Sequence, residues 1–508
     1  MGRMAVAAIV SLWVIPISIA VNRIVPDPYM DEIFHIPQAQ RYCHGDFKTW
    51  NPMITTPPGL YYLSLAYLAS LFPGMWFAKG IQSFPELCST AYLRSINAIM
   101  AIICSVLVYD LLIILRPCLS GKRATFYAVV IALYPLHWFF TFLYYTDAAS
   151  LSAVLAMYLA SLKKKYMLSA LLGAFSTLFR QTNVVWVMFV AANGAITYVE
   201  DLCWKDHILV DHKIKFEKKN FGSNKKVVAV APTLRRRTMG TLSETRELSE
   251  SGVSNGHLLN DSGFMDEIME VTLKFWYFKW KVLVTFFPYI IVLVAFLAFV
   301  ILNGGIVLGA KEAHVVSPHF AQMLYFGLAA ALALAPAHFN ISQVSNFCRQ
   351  FWSRKLSSAF QISVSLILGF ISVHFFSIAH PYLLADNRHY TFYIWRKVIQ
   401  AHWSMKYFLV PLYIYSWVFI INMLGKTQRK IWVLLFFIAS AMVLIPAPLI
   451  ELRYYTIPFY LLILNSHVDN IEVVVGFLYA SVNVLTMAMF LMRPFHWDHE
   501  AGIQRFIW

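Results

Sequence analysis

The chain has 508 residues, of which 59% are hydrophobic and only 13% are charged, and its formal net charge is +15. A soluble domain carries about 25% charged residues, so this composition excludes an ordinary soluble enzyme and indicates a chain solvated mainly by lipid. Six cysteines are too few for a disulfide scaffold. No nucleic-acid-binding motif is present in the sequence, so the positive charge is attributed to basic cytosolic loops rather than to binding of a nucleic acid.

Apolar runs long enough to cross a bilayer recur along the chain and predict an all-α, polytopic membrane bundle. The first run, VAAIVSLWVIPISIAV, is interpreted as an uncleaved span because no convincing cleavage site follows it. About thirteen spans of ~20 residues are expected, beginning near residues 5, 94, 124, 146, 166, 184, 280, 320, 357, 407, 430, 455 and 472. This number places the C-terminus on the luminal side.

Basic connectors set the orientation, because loops rich in Lys and Arg stay in the cytosol. If every basic connector is cytosolic, the apolar stretch at 58–75 must lie at the membrane surface or re-enter the membrane, since a full crossing would reverse the later loops. We interpret it as a juxtamembrane helix. The basic connectors are residues 116–123, 163–165, 213–237, 349–355 and 425–430.

Three regions follow from this topology. Residues 1–200 form an N-terminal bundle with a first luminal loop at 23–93, and residues 276–508 form a C-terminal bundle. Residues 201–275 are polar and have too few apolar side chains to repay the entropy of ordering, which predicts a disordered cytosolic loop.

Unusual polar residues collect on the side opposite the basic connectors. Five of the six segments carry Arg or Lys where the positive-inside rule disfavours them, which suggests an anionic ligand in a shared cavity. The segments are residues 25–47, 144–150, 179–186, 303–316, 380–397 and 448–458.

Each of these signals has a plainer interpretation. An acidic pair such as Asp31-Glu32 is equally consistent with interfacial solvation, and arginines at helix ends commonly snorkel to the membrane surface. Asp147 is at a favoured helix-capping position. The histidines lack the spacing of a metal motif such as HExxH, so neither a metal nor another cofactor is expected. Cys43 and Cys88 share one side, and the sequence leaves their pairing open.

Carboxylates beside several cations at a membrane surface suit transfer from a phosphorylated lipid. The cations would hold the phosphate as it becomes the leaving group, and a carboxylate would accept the proton of the attacking hydroxyl. Adjacent carboxylates are expected to raise each other's pKa. A polytopic transporter or channel-associated protein is the alternative class, although no internal repeat relates the two halves and the charges lie at helix ends rather than within spans.

Several strings resemble the endoplasmic-reticulum family of dolichyl-phosphate-glucose-dependent α-1,2-glucosyltransferases. They are YMDEIFHIPQAQRYC, ITTPPGLYY, YYTD, FRQTNVVW, HPYLLADNRHYTFYIWRK and ELRYYTIPF, and the likeness covers the chain outside 201–275. The resemblance implies a GT-C type bundle in the endoplasmic reticulum membrane with its active site in the first luminal loop. A related transferase with a different donor, such as a mannosyltransferase, remains open.

The resemblance also implies roles for individual residues. Asp31 would be the general base on the 2-hydroxyl of the acceptor glucose, and Glu32 would orient Asp31 or the acceptor. The donor would be dolichyl phosphate glucose, the acceptor a dolichyl-diphosphate-linked oligosaccharide, the surroundings membrane lipid and the reaction inverting. Candidates for the donor phosphate are Arg388 and His389, with Arg396 or Arg453, and Lys311, although Ala310 stands where animal members are expected to carry an acidic residue. Further substrate-binding candidates are His35, Asp147, Arg180, Gln181, His380, Asp386, Tyr390 and Glu451.

Overall fold

A computed structural model describes residues 2–220, 263–338, 345, 349, 355–467, 472–498 and 500–508. The first half contains α1 (Gly2–Ile24), α2 (Glu32–Cys43), α3 (Gly59–Lys79), a 3-10 turn (Phe84–Cys88), α4 (Thr90–Leu115), α5 (Gly121–Ala132), α6 (Pro135–Phe140), α7 (Asp147–Leu162), α8 (Tyr166–Thr177) and α9 (Asn183–Asn220).

The second half begins with α10 (Phe264–Asn303), a 3-10 turn (Lys311–His314), α11 (Ala321–Ala333), α12 (Ala335–His338), α13 (Lys355–Phe375), α14 (Pro381–Ala385), α15 (Tyr390–Ile394) and a π-helical turn (Trp395–Ile399). It continues with α16 (Met405–Phe408), α17 (Val410–Gly425), α18 (Lys430–Leu444), a 3-10 turn (Leu452–Tyr455), α19 (Thr456–Asn465), α20 (Glu472–Met492), β1 (Phe495–Trp497) and β2 (Glu500–Gln504).

The chain is a mostly helical, multi-pass membrane protein, as its composition predicts. A helix begins near each of the thirteen expected positions. The expected and observed starts differ most for α10, which begins sixteen residues early. By length and composition, seven helices in the described part of the chain are suited to crossing a bilayer: Gly2–Ile24, Gly59–Lys79, Thr90–Leu115, Asn183–Asp206, Phe264–Asn303, Met405–Gly425 and Glu472–Met492.

The expected length of ~20 residues per span is wrong for several helices. Helices α5 and α8 have 12 residues each, and α19 has 10. Helix α5 ends early because Tyr134 precedes Pro135, and a residue before proline is driven out of the helical region. The irregular backbone that follows is buried, and the amide of Asn97 donates hydrogen bonds to the carbonyl oxygens of Leu143 and Tyr145. Polar backbone inside a membrane is tolerated where protein groups satisfy it in this way.

The stretch predicted to lie along the membrane surface at 58–75 is the helix α3, which has 21 residues. Its length and hydropathy also suit a full crossing, so its surface position stays a prediction. The range 201–275, expected to be a disordered loop, includes the end of α9, which continues to Asn220, and the start of α10 at Phe264. Residues 221–262, which contain most of the basic cluster at 213–237, lie outside the described part.

The chain divides into two compact units. One contains residues 1–195 and 279–508, so the two predicted bundles fall within a single unit, and the other contains residues 196–278. Within the first unit, the connectors at 116–123 and 425–430 both contact the end of α19, and they lie at the opposite ends of α4 and α18 from the polar segments. Arg116 donates to the carbonyl oxygens of Ile463 and Ser466, and the Thr427 hydroxyl donates to the carbonyl oxygen of Asn465. The helices therefore present a basic end and, as described next, an end with carboxylates and arginines.

Candidate functional site

The acidic pair lies where the loop after α1 enters α2. Met30 adopts a left-handed backbone conformation with a φ of 57°, and Asp31 stands at the N-terminus of α2. The Asp31 carboxylate accepts a hydrogen bond from Arg453 Nη1 at 3.0 Å, and its main-chain N–H donates to the Tyr145 hydroxyl at 3.2 Å. The Asp31 side chain is 39% exposed, so a substrate hydroxyl has access to it.

The neighbouring carboxylate, Glu32, has a different environment. It is completely buried and receives Arg94 Nε at 2.8 Å and Arg94 Nη2 at 2.6 Å, one on each oxygen. The main-chain N–H groups of Tyr29 and Tyr144 donate to the same carboxylate at 3.0 Å and 2.5 Å. Because four protein groups already donate hydrogen bonds to the Glu32 carboxylate, its surroundings fit the predicted orienting role and not contact with substrate.

Arg94 is a site residue that the sequence analysis missed. Its side chain is 1% exposed, and its guanidinium also donates to the carbonyl oxygens of Val25, at 2.6 Å, and Asp27, at 3.0 Å. The sequence does contain a signal for Arg94, because it is a charged residue near the start of an apolar span. A cation in that position is normally retained for a specific partner.

The expectation that the two carboxylates raise each other's pKa is wrong for Asp31. Burial favours the neutral acid, but the charge of Arg453, the proximity of His35 and the Arg453 hydrogen bond outweigh it, so the pKa of Asp31 lies below its ordinary value. Glu32 has its own arginine, and the two carboxylates therefore face different cations. Asp31 is ionised at neutral pH.

Arg453 connects Asp31 to Glu451, which was also predicted, and to Tyr145, which was not. Its Nε donates to Glu451, and its guanidinium lies 5.3 Å from the ring centroid of Tyr145. Arg180 forms a similar pair with Asp147, with Nη2 2.9 Å from Oδ2, and lies 5.9 Å from the ring centroid of Tyr454. The structure therefore brings together the segments around residues 31, 147, 180 and 453, as the charge pattern predicts.

His35 and Gln181 lie on the side of the site formed by α2 and the loop before α3. His35 Nδ1 is 2.6 Å from the Tyr61 hydroxyl, and burial lowers the His35 pKa to about 4 despite the nearby Asp31. The imidazole is therefore neutral at neutral pH. The Gln181 amide donates to the carbonyl oxygen of Thr55 at 2.6 Å.

The segment from Asp386 to Tyr390 forms a second cluster. Arg388 donates Nε and Nη2 to the two oxygens of Asp386 at 2.9 Å and 2.8 Å, and His389 Nε2 lies 3.7 Å from the same carboxylate. Burial opposes ionisation of Asp386, but the Arg388 hydrogen bonds hold its pKa below the ordinary value. His389 also contributes to the electrostatic potential at Asp31, and Arg388 to that at Tyr29. Tyr390 follows, with its ring centroid 5.0 Å from that of Trp508.

Three predicted site residues contact groups outside these two clusters. Arg396 is exposed, with its guanidinium 5.7 Å from the Phe392 ring centroid. Lys311 is exposed and donates to the carbonyl oxygen of Asn303 within its own loop. His380 caps α14 by accepting a hydrogen bond from the Tyr382 N–H at 3.2 Å.

Cys43 and Cys88 form a disulfide, which settles the pairing that the sequence left open. It joins the end of α2 to the 3-10 turn before α4 and so closes the segment that begins with the acidic pair. In the part of the chain that the structure describes, no group of three or more His, Cys, Asp or Glu side chains is placed to hold a metal ion.

The fold and site together define a polytopic helical membrane protein with an ionised carboxylate and several arginines at one end of its helices. The chain belongs to the DIE2/ALG10 family, whose sequence profile matches residues 25–464. No solved structure matches the chain significantly.

Similar proteins carry one name, Dol-P-Glc:Glc(2)Man(9)GlcNAc(2)-PP-Dol alpha-1,2-glucosyltransferase. The protein of this name from Arabidopsis thaliana is 54% identical over 513 residues, covering 100% of both chains. The Mus musculus protein is 35% identical, and one Homo sapiens protein is 34% identical; each alignment covers 96% of this chain and 95% of the relative.

Proposed function

We propose that this protein transfers glucose from dolichyl phosphate glucose to the 2-hydroxyl of the terminal glucose of Glc2Man9GlcNAc2-PP-dolichol, forming an α-1,2 linkage. The names of relatives that align over almost the whole chain support the donor and the acceptor. The observation that carries the chemistry is the partly exposed, ionised Asp31 at 3.0 Å from Arg453. The mannosyltransferase and transporter alternatives have no comparable support.

Asp31 is the general base in this proposal. Its carboxylate accepts the proton of the acceptor 2-hydroxyl while that oxygen forms a bond to C1 of the donor glucose. The bond from C1 to the phosphate oxygen breaks at the same time, and dolichyl phosphate leaves with the electron pair. Because attack occurs opposite the leaving group, a β-linked donor gives an α-linked product without a covalent enzyme intermediate.

Glu32 is a positioning residue in this reaction and does not touch the substrate. Its buried pairing with Arg94, together with the N–H groups of Tyr29 and Tyr144, fixes the loop from which Asp31 projects. Such fixed geometry contributes to catalysis, because a base misplaced by about 1 Å loses much of its effect.

Arg388, His389 and Arg453 are proposed to stabilise the donor phosphate. Arginine suits this task since its planar guanidinium binds phosphate oxygens with two parallel hydrogen bonds. Arg453 lies beside the base, with its Nη1 3.0 Å from Asp31 Oδ2. Arg396 and Lys311 contact other groups and receive less support from the structure.

The proposed location is the endoplasmic reticulum membrane, with a GT-C type architecture and the acidic pair facing the lumen. The Cys43–Cys88 disulfide lies on the same loop as the acidic pair, and disulfides form in oxidising compartments such as the ER lumen. The basic connectors at the other end of the helices support a cytosolic location for that end.

Purified protein in detergent tests this function without any gradient. With labelled dolichyl phosphate glucose and a diglucosylated lipid-linked acceptor, we expect a triglucosylated product with a new α-1,2 linkage. Transfer of mannose from dolichyl phosphate mannose instead would overturn the choice of donor. Transfer from neither donor by folded protein would favour the transporter.

A further inference from the structure

The segment after the last helix returns to the site. Strands β1 and β2 pair antiparallel, and the residues that follow them form a parallel bridge between Ile507 and His389. We call residues 494–508 the tail. The sequence alone assigns the tail no role beyond a likeness to the family and a luminal location.

One set of contacts joins the tail to the loop that carries the acidic pair. The Tyr29 hydroxyl accepts the Arg505 N–H at 2.7 Å and donates to the Arg505 carbonyl oxygen at 2.6 Å. The Tyr29 N–H in turn donates to Glu32. The Arg505 guanidinium donates to the carbonyl oxygens of Phe490 and Leu491 at the end of α20. Tyr29 thus connects the tail directly to the buried carboxylate.

A second set joins the tail to the cluster around Arg388. The Asn387 side-chain oxygen accepts Trp497 Nε1–H at 2.9 Å, and the Tyr390 N–H donates to the carbonyl oxygen of Ile507 at 3.0 Å. His389 Nδ1 lies 3.2 Å from the main-chain oxygen of Trp508. With the Arg388 contacts described next, all four residues from Asn387 to Tyr390 are hydrogen-bonded to the tail.

Arg388 has the most specific contacts of the four. Its Nη1 donates to Gln504 Oε1 at 3.0 Å, its guanidinium lies 4.6 Å from the Trp497 ring centroid, and its carbonyl oxygen accepts the Ile507 N–H at 2.9 Å. The Gln504 side chain belongs to a residue that is only 5% exposed. An arginine held on a ring face and by a buried amide loses little conformational freedom when it binds an anion.

We propose that Gln504 and Trp497 are positioning residues for the donor, and that the tail holds Arg388 ready for the phosphate of dolichyl phosphate glucose. This inference rests on the proposed function, in which Arg388 binds that phosphate. The tail itself does not touch the substrate. Gln504 and Trp497 act on the affinity for the donor, and not on the acceptor or on the base Asp31.

The test is the replacement Gln504→Leu, with initial rates measured over a range of dolichyl phosphate glucose concentrations. We expect the KM for the donor to rise about tenfold, which corresponds to the loss of one hydrogen bond to a charged group. The KM for the acceptor and the thermal unfolding midpoint should change little. Ile503→Ser is the matched control, since Ile503 is the preceding residue of β2 and its side chain is 52% exposed.

Other outcomes separate the inference from the proposed function. If Arg388→Met raises the donor KM and Gln504→Leu does not, the positioning role of the tail is wrong. If Arg388→Met leaves the donor KM unchanged, the proposed phosphate site is wrong. Should Gln504→Leu fail to fold, Trp497→Leu takes its place, because it removes the ring that lies 4.6 Å from the Arg388 guanidinium. An unchanged donor KM in that folded variant would overturn the role of the tail.

Discussion

Asp31 and Glu32 are neighbours in the chain, but their side chains have opposite surroundings. Asp31 is partly exposed and pairs with Arg453, whereas Glu32 is buried and pairs with Arg94. A residue at the start of a helix and the residue after it point in different directions, because successive side chains are about 100° apart around a helix. Only the exposed carboxylate can meet a substrate hydroxyl.

The environment of Asp31 predicts a shift in pH dependence. In Arg453→Met the cation that favours the carboxylate is lost and burial remains, so the pKa of Asp31 should rise. Because the base must be ionised, the acid limb of kcat/KM for the acceptor should move to higher pH. Arg453→Lys keeps the charge and should leave the limb close to that of the unchanged protein. Coincident acid limbs for all three proteins would contradict the link between Arg453 and Asp31.

At the scale of elements, the buried Glu32–Arg94 pair fixes how the loop after α1 meets α2 and α4. The pair is joined by hydrogen bonds to Val25, Tyr29 and Tyr144, so its removal affects three segments together. Breaking a buried pair by removing one partner leaves an uncompensated charge, which typically costs about 3–5 kcal/mol.

Both Glu32→Gln and Arg94→Met should therefore lower the thermal unfolding midpoint and the activity in detergent. The double variant Glu32→Met, Arg94→Met should unfold at a higher temperature than Arg94→Met, since neither charge remains buried alone. It should stay weakly active, because Tyr29 and Tyr144 lose their acceptor. Lys274→Met is the control, as it breaks a solvent-exposed pair with Glu270 and should cost roughly 1 kcal/mol or less. Full activity in the double variant would contradict a positioning role.

The sequence predicts the helix positions better than their lengths. Hydropathy finds the start of most of the longer apolar helices, because apolar runs begin where the chain enters the membrane. It cannot find an early end such as that of α5, where Pro135 follows and the buried amide of Asn483 donates to the carbonyl oxygen of Leu133.

The candidate site is predicted in part for a similar reason. The positive-inside rule places Asp31, Asp147, Arg180 and Arg453 on the same side of the membrane, each at the end of a helix. It cannot identify which partner each charge takes, so Arg94 and the tail contacts of Arg388 were missed. Pairing across more than sixty residues depends on the tertiary fold and leaves no local pattern.

For the whole molecule, the two ends of the helices differ in chemistry. The disulfide and the carboxylate–arginine clusters lie at one end, and the connectors at 116–123, 163–165 and 425–430, with the exposed thiol of Cys118, lie at the other. Positive connectors tend to stay in the cytosol, and disulfides form in the lumen, so both signals favour the orientation proposed above.

This orientation predicts that Cys118 reacts with a membrane-impermeant maleimide added outside sealed microsomes. The amount of label on Cys118 is the amount on the unchanged protein minus the amount on Cys118→Ser. This subtraction removes the contribution of the other thiols. Labelling of Cys118 only after the membrane is permeabilised would reverse the orientation and place the acidic pair in the cytosol.

The central claim is that Asp31 is the base, and Asp31→Asn tests it most directly because the replacement keeps size and removes the carboxylate. Asp27→Asn is the control, since Asp27 is an exposed carboxylate in the same loop. Membranes containing folded Asp31→Asn protein as the sole source of the activity should accumulate diglucosylated lipid-linked oligosaccharide while still binding dolichyl phosphate glucose, and Asp27→Asn should give the triglucosylated product. Normal amounts of triglucosylated product from Asp31→Asn would contradict the account.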